Sequence, residues 1–428
     1  MMQRRQFVST VAAGSALGSL GLLSGCATTG SASGPHVIVI GGGYAGATAA
    51  KYTRLFSEGK VQVTLIEPNA NFISCPISNL VIGGIKKIED ITIPYDNLEK
   101  RHGVKIVRDR ATAIDPDKRV VKLASGGELK YDRLIVSPGI DFMWETLPGM
   151  GKPGAQDKVL HAWKAGPQTV ALRKQLEAMP DGGVYALSIP LAPYRCPPGP
   201  YERACMVAHY FKKAKPKSKV IIFDANEDIQ SKKALFLKAW DEHYKGIIEY
   251  RPKHRVVDVD AATNTLKFEF NEDFKAAVAN VVPNMRAGDI AVQAGLATAN
   301  KRWCEVDFLT FESKAVKNVH VLGDAIQIAP AMPRSGHMAN QHGKTCAAAV
   351  VSLLLGQEPP KTPLYANTCY SFVTDEDVVH VASVHRYDPE KKTMLTVPGS
   401  GGVSARASEL EGRYALAWAR NIWADTLA

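Results

Sequence analysis

Three cysteines sit in settings that could do chemistry. Cys75 lies in Phe72-Ile73-Ser74-Cys75-Pro76-Ile77-Ser78-Asn79. Cys196 lies in Tyr194-Arg195-Cys196-Pro197-Pro198-Gly199-Pro200-Tyr201-Glu202-Arg203, and Cys369 in Asn367-Thr368-Cys369-Tyr370-Ser371. A thiolate is a nucleophile, and two thiols brought together give up an electron pair as a disulfide. Spacing alone pairs none of them, because no CxxC occurs. Cys196, set among Pro and Gly, reads as a rigid exposed turn. Cys369 reads as a turn-like segment before the strand-like Val378-Val379-His380-Val381-Ala382. On residue type alone a lone cysteine such as Cys75 is more often a small buried hydrophobe, and a cysteine pair in an exported protein more often a structural staple. Cys205 and Cys346 fall in helix-like, Ala-rich stretches and Cys304 precedes a strand-like one, so all three read as packing residues. No cysteine or histidine spacing suits a metal, and without a CxxCH no haem is expected on this chain.

The element that would position this chemistry begins at His36-Val37-Ile38-Val39-Ile40. Gly41-Gly42-Gly43-Tyr44-Ala45-Gly46 follows, then the helix-forming Ala47-Thr48-Ala49-Ala50-Lys51-Tyr52. A GxGxxG turn between strand and helix lets the backbone approach a pyrophosphate at the helix N-terminus. Here Gly41, Gly43 and Gly46 are the three glycines. A second strand, Val61 to Ile66, ends in Glu67, about 20 residues beyond the turn, where an acidic side chain meets a ribose hydroxyl. Dinucleotide binding follows from the three features in register.

Two later segments favour FAD over NAD. Tyr131-Asp132-Arg133-Leu134-Ile135-Val136-Ser137-Pro138-Gly139 is similar to the strand and turn that leave the flavin domain of flavoproteins with two dinucleotide domains. Asn318-Val319-His320-Val321-Leu322-Gly323-Asp324-Ala325 is similar to their late strand, whose Asp, here Asp324, contacts the ribityl chain. Between them, a strand over Gly183 to Ile189 runs into Pro190-Leu191-Ala192-Pro193 instead of a second glycine turn. Prolines lack N–H donors and restrict the backbone. The expectation is a nucleotide-like domain that has lost its nucleotide, with electrons entering from a small substrate at Cys196 and not from NADH.

The chain opens with Arg4-Arg5-Gln6-Phe7-Val8 and a short Gly-interrupted apolar stretch to Leu23, which reads as a twin-arginine signal peptide over 1–25 and predicts a periplasmic protein. Leu23-Ser24-Gly25-Cys26 matches a lipobox, so Cys26 is expected as a lipidated first residue and the one route to a membrane, with 26–34 as a tether. Hydrophobic content of 46% and charged content of 22% describe an ordinary globular protein. The net charge of +10 is not concentrated in an Arg/Lys stripe with interleaved aromatics, which argues against nucleic acid.

At this level of detail the chain resembles the flavoprotein subunit of flavocytochrome c sulfide dehydrogenase, a branch of the pyridine nucleotide–disulfide reductase superfamily. The resemblance rests on Cys75 to Gly84, Cys196 to Ala204, Asn367 to Ser371 and His161-Ala162-Trp163-Lys164-Ala165-Gly166. It implies an α/β fold: two Rossmann-like dinucleotide-binding domains of the glutathione-reductase type plus a C-terminal α+β interface domain. The expected divisions are a split FAD-binding domain (35–149 and 289–358), a degenerate NAD-like domain (150–288) and the interface domain (359–428).

The resemblance further implies FAD bonded covalently through Cys75 and a redox disulfide between Cys196 and Cys369. Trp418 would lie over the flavin. Read alone, Tyr414 and Trp418 form one buried stripe of an amphipathic helix. Hydrosulfide would be oxidised to persulfide, polysulfide or sulfur, with electrons leaving to a c-type cytochrome partner. Glu202 is the candidate proton handler, against the plainer reading of a first-turn helix carboxylate. The alternative is an enzyme like sulfide:quinone oxidoreductase, tethered to the membrane.

Overall fold

A computed structural model describes residues 34–428, and Gly34–Ala428 form one compact unit. Arg4, Arg5 and Cys26 lie outside the described residues. The β-branched run His36–Ile40 is the central strand of a five-stranded parallel sheet. Its order is Val319–Val321, Arg133–Val136, His36–Ile40, Gln62–Ile66, Lys105–Val107. These strands are covered on both faces, which is why they read as unbroken apolar runs and not as alternation. Register makes the site: Ile40 lies opposite both Ile66 and Val136, and Val136 opposite Val321. The four strands therefore end level. The Gly41 turn, Glu67, Ser137–Gly139 and Asp324 meet along one carboxyl edge, where ligands bind in such sheets.

A second parallel sheet has the order Ile248–Arg251, Lys219–Asp224, Val184–Ile189, Val278–Val281. The antiparallel pair Ile140–Phe142 with Met285–Ala287 joins the segments that cross between the two sheets. After Ile189 the chain does not turn at once into a helix. The proline-rich segment 190–198 carries it to the edge of the first sheet before helix Gly199–Ala214 begins.

The C-terminal part pairs Leu364–Phe372, Val378–Asp388 and Thr393–Thr396 antiparallel, and helix Glu409–Leu427 packs on the first two. Cys369 differs from expectation here. It sits inside the strand Leu364–Phe372, opposite Val381, and the turn comes only after Phe372. The strand is fixed by its hairpin pairing with Val378–Asp388, and such pairing overrides the local turn preference of Asn-Thr.

Candidate active site

The glycine turn is built to receive a phosphate. Gly41 has φ +91°, a left-handed conformation that favours glycine. A Cβ on Gly46 would stand 1.9 Å from the Gly41 carbonyl oxygen, while one on Gly43 would meet nothing within 4 Å. Strand and helix thus touch at Gly46 and the turn opens at Gly43. Helix Tyr44–Phe56 starts with no side-chain cap, so its N–H groups remain available to an anion. Glu67, buried at 6% exposure, accepts the Gly42 N–H at 2.7 Å and the Asn69 N–H at 2.8 Å. Those bonds aim the carboxylate along the same edge.

One cavity runs from Gly41–Gly43 past Asp324 to Cys75, Cys196, Cys369 and Trp418. Asp324 Oδ1 is buried without a hydrogen-bond partner among the described residues. Burial raises this carboxyl, and the Arg195 and Arg334 guanidiniums oppose the shift. An orphaned acceptor on the wall of the cavity is what a ribityl hydroxyl would satisfy, so the residues fit FAD. Glu67 and the glycine turn would hold its adenosine diphosphate part and Asp324 its ribityl chain.

Cys75 follows strand Asn71–Ile73, on a loop held by Ser74, whose hydroxyl donates to Pro76 O at 2.7 Å. The Cys75 sulfur is half-buried and accepts from Arg195 Nη1 at 3.4 Å and from the Ala165 N–H at 3.5 Å.

Cys196 is the residue where the proline segment turns. Its φ is +60°, unusual for a non-glycine, and its N–H donates to Arg334 O at 3.0 Å while its carbonyl accepts from Gly199 N. The turn is as expected, but the side chain is half-buried and faces the cavity instead of standing exposed. A Cβ at Gly199 would lie 2.9 Å from both the Cys196 sulfur and the edge of the Trp163 ring. Glycine there makes room for the thiol. Burial pushes the Cys196 thiol up to about 12, helped by charge on Cys369.

Glu202, in the first turn of the same helix, is 8% exposed and lines the cavity. It accepts from Asn79 Nδ2 at 2.7 Å and from the Phe372 N–H at 2.9 Å. Burial raises its carboxyl, and these two donors oppose the shift. It is therefore no solvated first-turn carboxylate. It bridges the Cys75 loop, the Cys196 helix and the Cys369 strand.

The Cys369 sulfur faces polar groups. Ser335 Oγ accepts the Met338 N–H, so its own proton goes to Asn367 Oδ1 at 2.6 Å. That fixes the Asn367 amide with Nδ2 toward Cys369 Sγ at 3.4 Å. Lys232, 7% exposed, donates to Cys369 O at 3.0 Å, Ser371 Oγ at 2.7 Å and Val379 O at 3.4 Å. Burial lowers Lys232 to about 8. Cys196 and Cys369 are both thiols in this structure.

Trp418 lines the cavity, with ring centroids 5.7 Å from His337 and 6.1 Å from Tyr370. Tyr414 is 53% exposed, so the two do not form one buried stripe. Cys205, Cys304 and Cys346 are fully buried. No group of residues able to hold a metal occurs among the described residues. The sequence reading passed over Asn79, Arg195 and Trp163, although each lies in a quoted motif. Arg203 was passed over too. It is 1% exposed and ties Asn79 Oδ1 to the carbonyls of His161 and Ala162. Nothing in Ser231-Lys232-Lys233 marks Lys232 apart from a surface lysine.

The glycine turn, the two nucleotide-type sheets and the cysteines in one cavity define a flavoprotein of the pyridine nucleotide–disulphide oxidoreductase class. Its family model matches residues 35–179. Residues 169–283 match the central region of the sulfide dehydrogenase [flavocytochrome c] flavoprotein chain, and 361–427 match the flavocytochrome c sulphide dehydrogenase flavin-binding region. A 46-residue stretch is 49% identical to the sulfide dehydrogenase [flavocytochrome c] flavoprotein chain of Chlorobaculum thiosulfatiphilum, covering 11% of this chain and 94% of that sequence. The chain belongs to the family of flavocytochrome c sulfide dehydrogenase flavoprotein chains.

It is also 26% identical over 327 residues to the mitochondrial sulfide:quinone oxidoreductase of Mus musculus (72% of this chain, 69% of the relative). With the corresponding Dictyostelium discoideum protein the identity is 23% over 304 residues (67% and 64%). The fold matches the solved sulfide:quinone oxidoreductase of Aquifex aeolicus at TM-score 0.73 and 19% identity, covering 92% of this chain and 91% of that one.

Proposed function

We propose that this chain is an exported, FAD-dependent sulfide dehydrogenase that oxidises hydrosulfide through Cys196 and Cys369 and passes electrons to a c-type cytochrome. The observation that carries this reading is the convergence of both cysteines, from a helix start and a distant strand, on the cavity that begins at the glycine turn. In the resting enzyme the two sulfurs form a disulfide. Hydrosulfide attacks one sulfur, the S–S bond breaks, and a persulfide and a thiolate result. FAD, held by the glycine turn, Glu67 and Asp324, would supply the acceptor for the electron pair left on the opened cysteines.

The chain's own residues do the rest. Glu202, kept protonatable by burial and fixed by Asn79, handles the proton that hydrosulfide brings. Arg195 Nη1 and the Ala165 N–H fix the Cys75 sulfur at the cavity, where it would hold the flavin. The proline segment 190–198 replaces the glycine turn that NADH would need. Family membership supports the cytochrome as acceptor, and the longer similarity to quinone-linked relatives supports a second reading with quinone. Among the described residues no helix is long and apolar enough to cross a membrane.

The test is anaerobic addition of sulfide, and separately NADH, to the purified protein while flavin absorbance is followed. Bleaching by sulfide alone is expected. Bleaching only by NADH overturns the reading. Adding cytochrome c or a soluble quinone to the sulfide-reduced protein then separates the acceptors.

A further inference from the structure

The two cysteines stand in unlike surroundings. The Cys196 sulfur lies beside Gly199 and the edge of the Trp163 indole. Cys369 receives the fixed Asn367 amide at 3.4 Å, and the Lys232 ammonium grips its carbonyl at 3.0 Å. Lys232 precedes helix Lys233–Tyr244 in a left-handed conformation, φ +55°. Its three acceptors all belong to the strand pair that carries Cys369. A buried ammonium held on one strand pair is a fixed positive charge, and in a site of low dielectric it favours the anion nearest to it.

We propose that Lys232 is a positioning residue that makes Cys369 the thiolate of the pair and so makes Cys196 the sulfur that receives the substrate. The proposal rests on the sulfide reading and deepens it. Hydrosulfide bonds to Cys196 Sγ, the Cys196–Cys369 bond breaks, and its electron pair stays on Cys369 Sγ. The products are a Cys196 persulfide and a Cys369 thiolate, with no other reactant consumed. A disulfide breaks toward the thiol of lower pKa. The ionisable groups facing Lys232 are Cys369, Glu202, Cys196 and Glu411, with Cys369 the strongest influence. Lys232 is in turn the first group opposing the burial that raises Cys369, whereas at Cys196 it ranks behind Arg195. Loss of the Lys232 proton, near pH 8, removes this bias.

The experiment alkylates the dithiothreitol-reduced holoenzyme with iodoacetamide from pH 6 to 10 and reads both cysteine peptides by mass spectrometry. In the wild type Cys369 is expected to react at least about tenfold faster than Cys196 at pH 7, the effect of one pKa unit. Lys232→Gln keeps a hydrogen-bond donor and removes the charge. It should slow Cys369 about tenfold at pH 7, move its profile to higher pH and affect Cys196 less, since Arg195 ranks ahead of Lys232 there. It should also make the disulfide's reduction potential more negative in a thiol redox buffer, since the reduced form loses stabilisation. A wild type in which Cys196 reacts first, or a Lys232→Gln protein with an unaltered Cys369 profile, overturns the proposal. Alkylation uses no sulfide, so failure of sulfide to bleach the flavin would remove the enzymatic reading by a separate result.

Discussion

Glu202 shows how one side chain combines position with a proton. Its carboxyl is raised above 4.5 by burial, so the folded protein holds that proton more tightly than the unfolded chain does. The resulting stability is present below pH 4.5 and is lost as pH rises through the higher folded value. Glu202→Gln cannot titrate. Its melting temperature should therefore gain on the wild type as pH rises from 4.5 through the higher folded value of Glu202 and then stay level, on top of a constant offset for the altered bond to Asn79. The same variant should slow sulfide-dependent flavin reduction by about 100-fold. Parallel pH–stability curves with an unchanged rate would leave Glu202 as a bridge between loops only. At Cys75 the readout is simpler. Cys75→Ser should release all flavin into the supernatant on acid precipitation, where the wild type keeps it on the protein. Equal release from both would end the covalent reading.

At the scale of elements, the strand–turn–helix at Gly41–Gly46 separates two demands on glycine. Gly43 has φ −69° and ψ −172°, open to any residue, and space around it. Gly43→Ala should fold with unchanged apoprotein stability and bind flavin at least about tenfold more weakly, a loss of about 1.4 kcal/mol. Gly46→Ala places a methyl 1.9 Å from Gly41 O and should cost on the order of 3 kcal/mol of folding stability. Thermal denaturation of both apoproteins with a flavin titration checks the pair. This turn was legible in the sequence because every part of it is local: a β-branched run, three glycines, a helix and Glu67 in register. The strands Val319–Val321 and Val184–Ile189 were legible for the same reason. The strand around Cys369 was not, since its partner Val381 lies across a hairpin and no nearby residue announces the pairing. Lys232 was illegible for a related reason. Its burial arises because its ammonium reaches Cys369 O, Ser371 Oγ and Val379 O, far along the chain, and sequence shows only a lysine beside a lysine. The Cys196 turn was read correctly but placed at the surface, because Pro and Gly report a bend and not what covers it.

At the scale of the whole molecule, the C-terminal helix closes the site that the N-terminal strand opens. Asp425 near its end accepts from Tyr52 at 2.6 Å and pairs with Lys344 at 2.8 Å, and Lys51 donates to the carbonyls of Ala424 and Asp425. Two residues earlier, Trp423 Nε1 donates to Tyr44 Oη at 3.0 Å. Tyr44 Oη lies 2.7 Å from Ser74 Oγ, and Ser74 has already given its proton to Pro76 O, so Tyr44 donates to Ser74. The bonds therefore run in one direction, from the last helix through the glycine-turn helix into the loop that carries Cys75. Trp423→Phe preserves an aromatic ring and removes the first donor, which should cost about 1 kcal/mol of stability. If the helix holds the Cys75 loop in place for flavin attachment, the variant should also retain less flavin after acid precipitation, with the remainder bound but extractable. A destabilised protein that keeps its full complement of covalent flavin would show the C-terminal helix to be a clamp on the fold alone. Loss of both together would make flavin attachment a property of the closed molecule, dependent on its first and last elements at once.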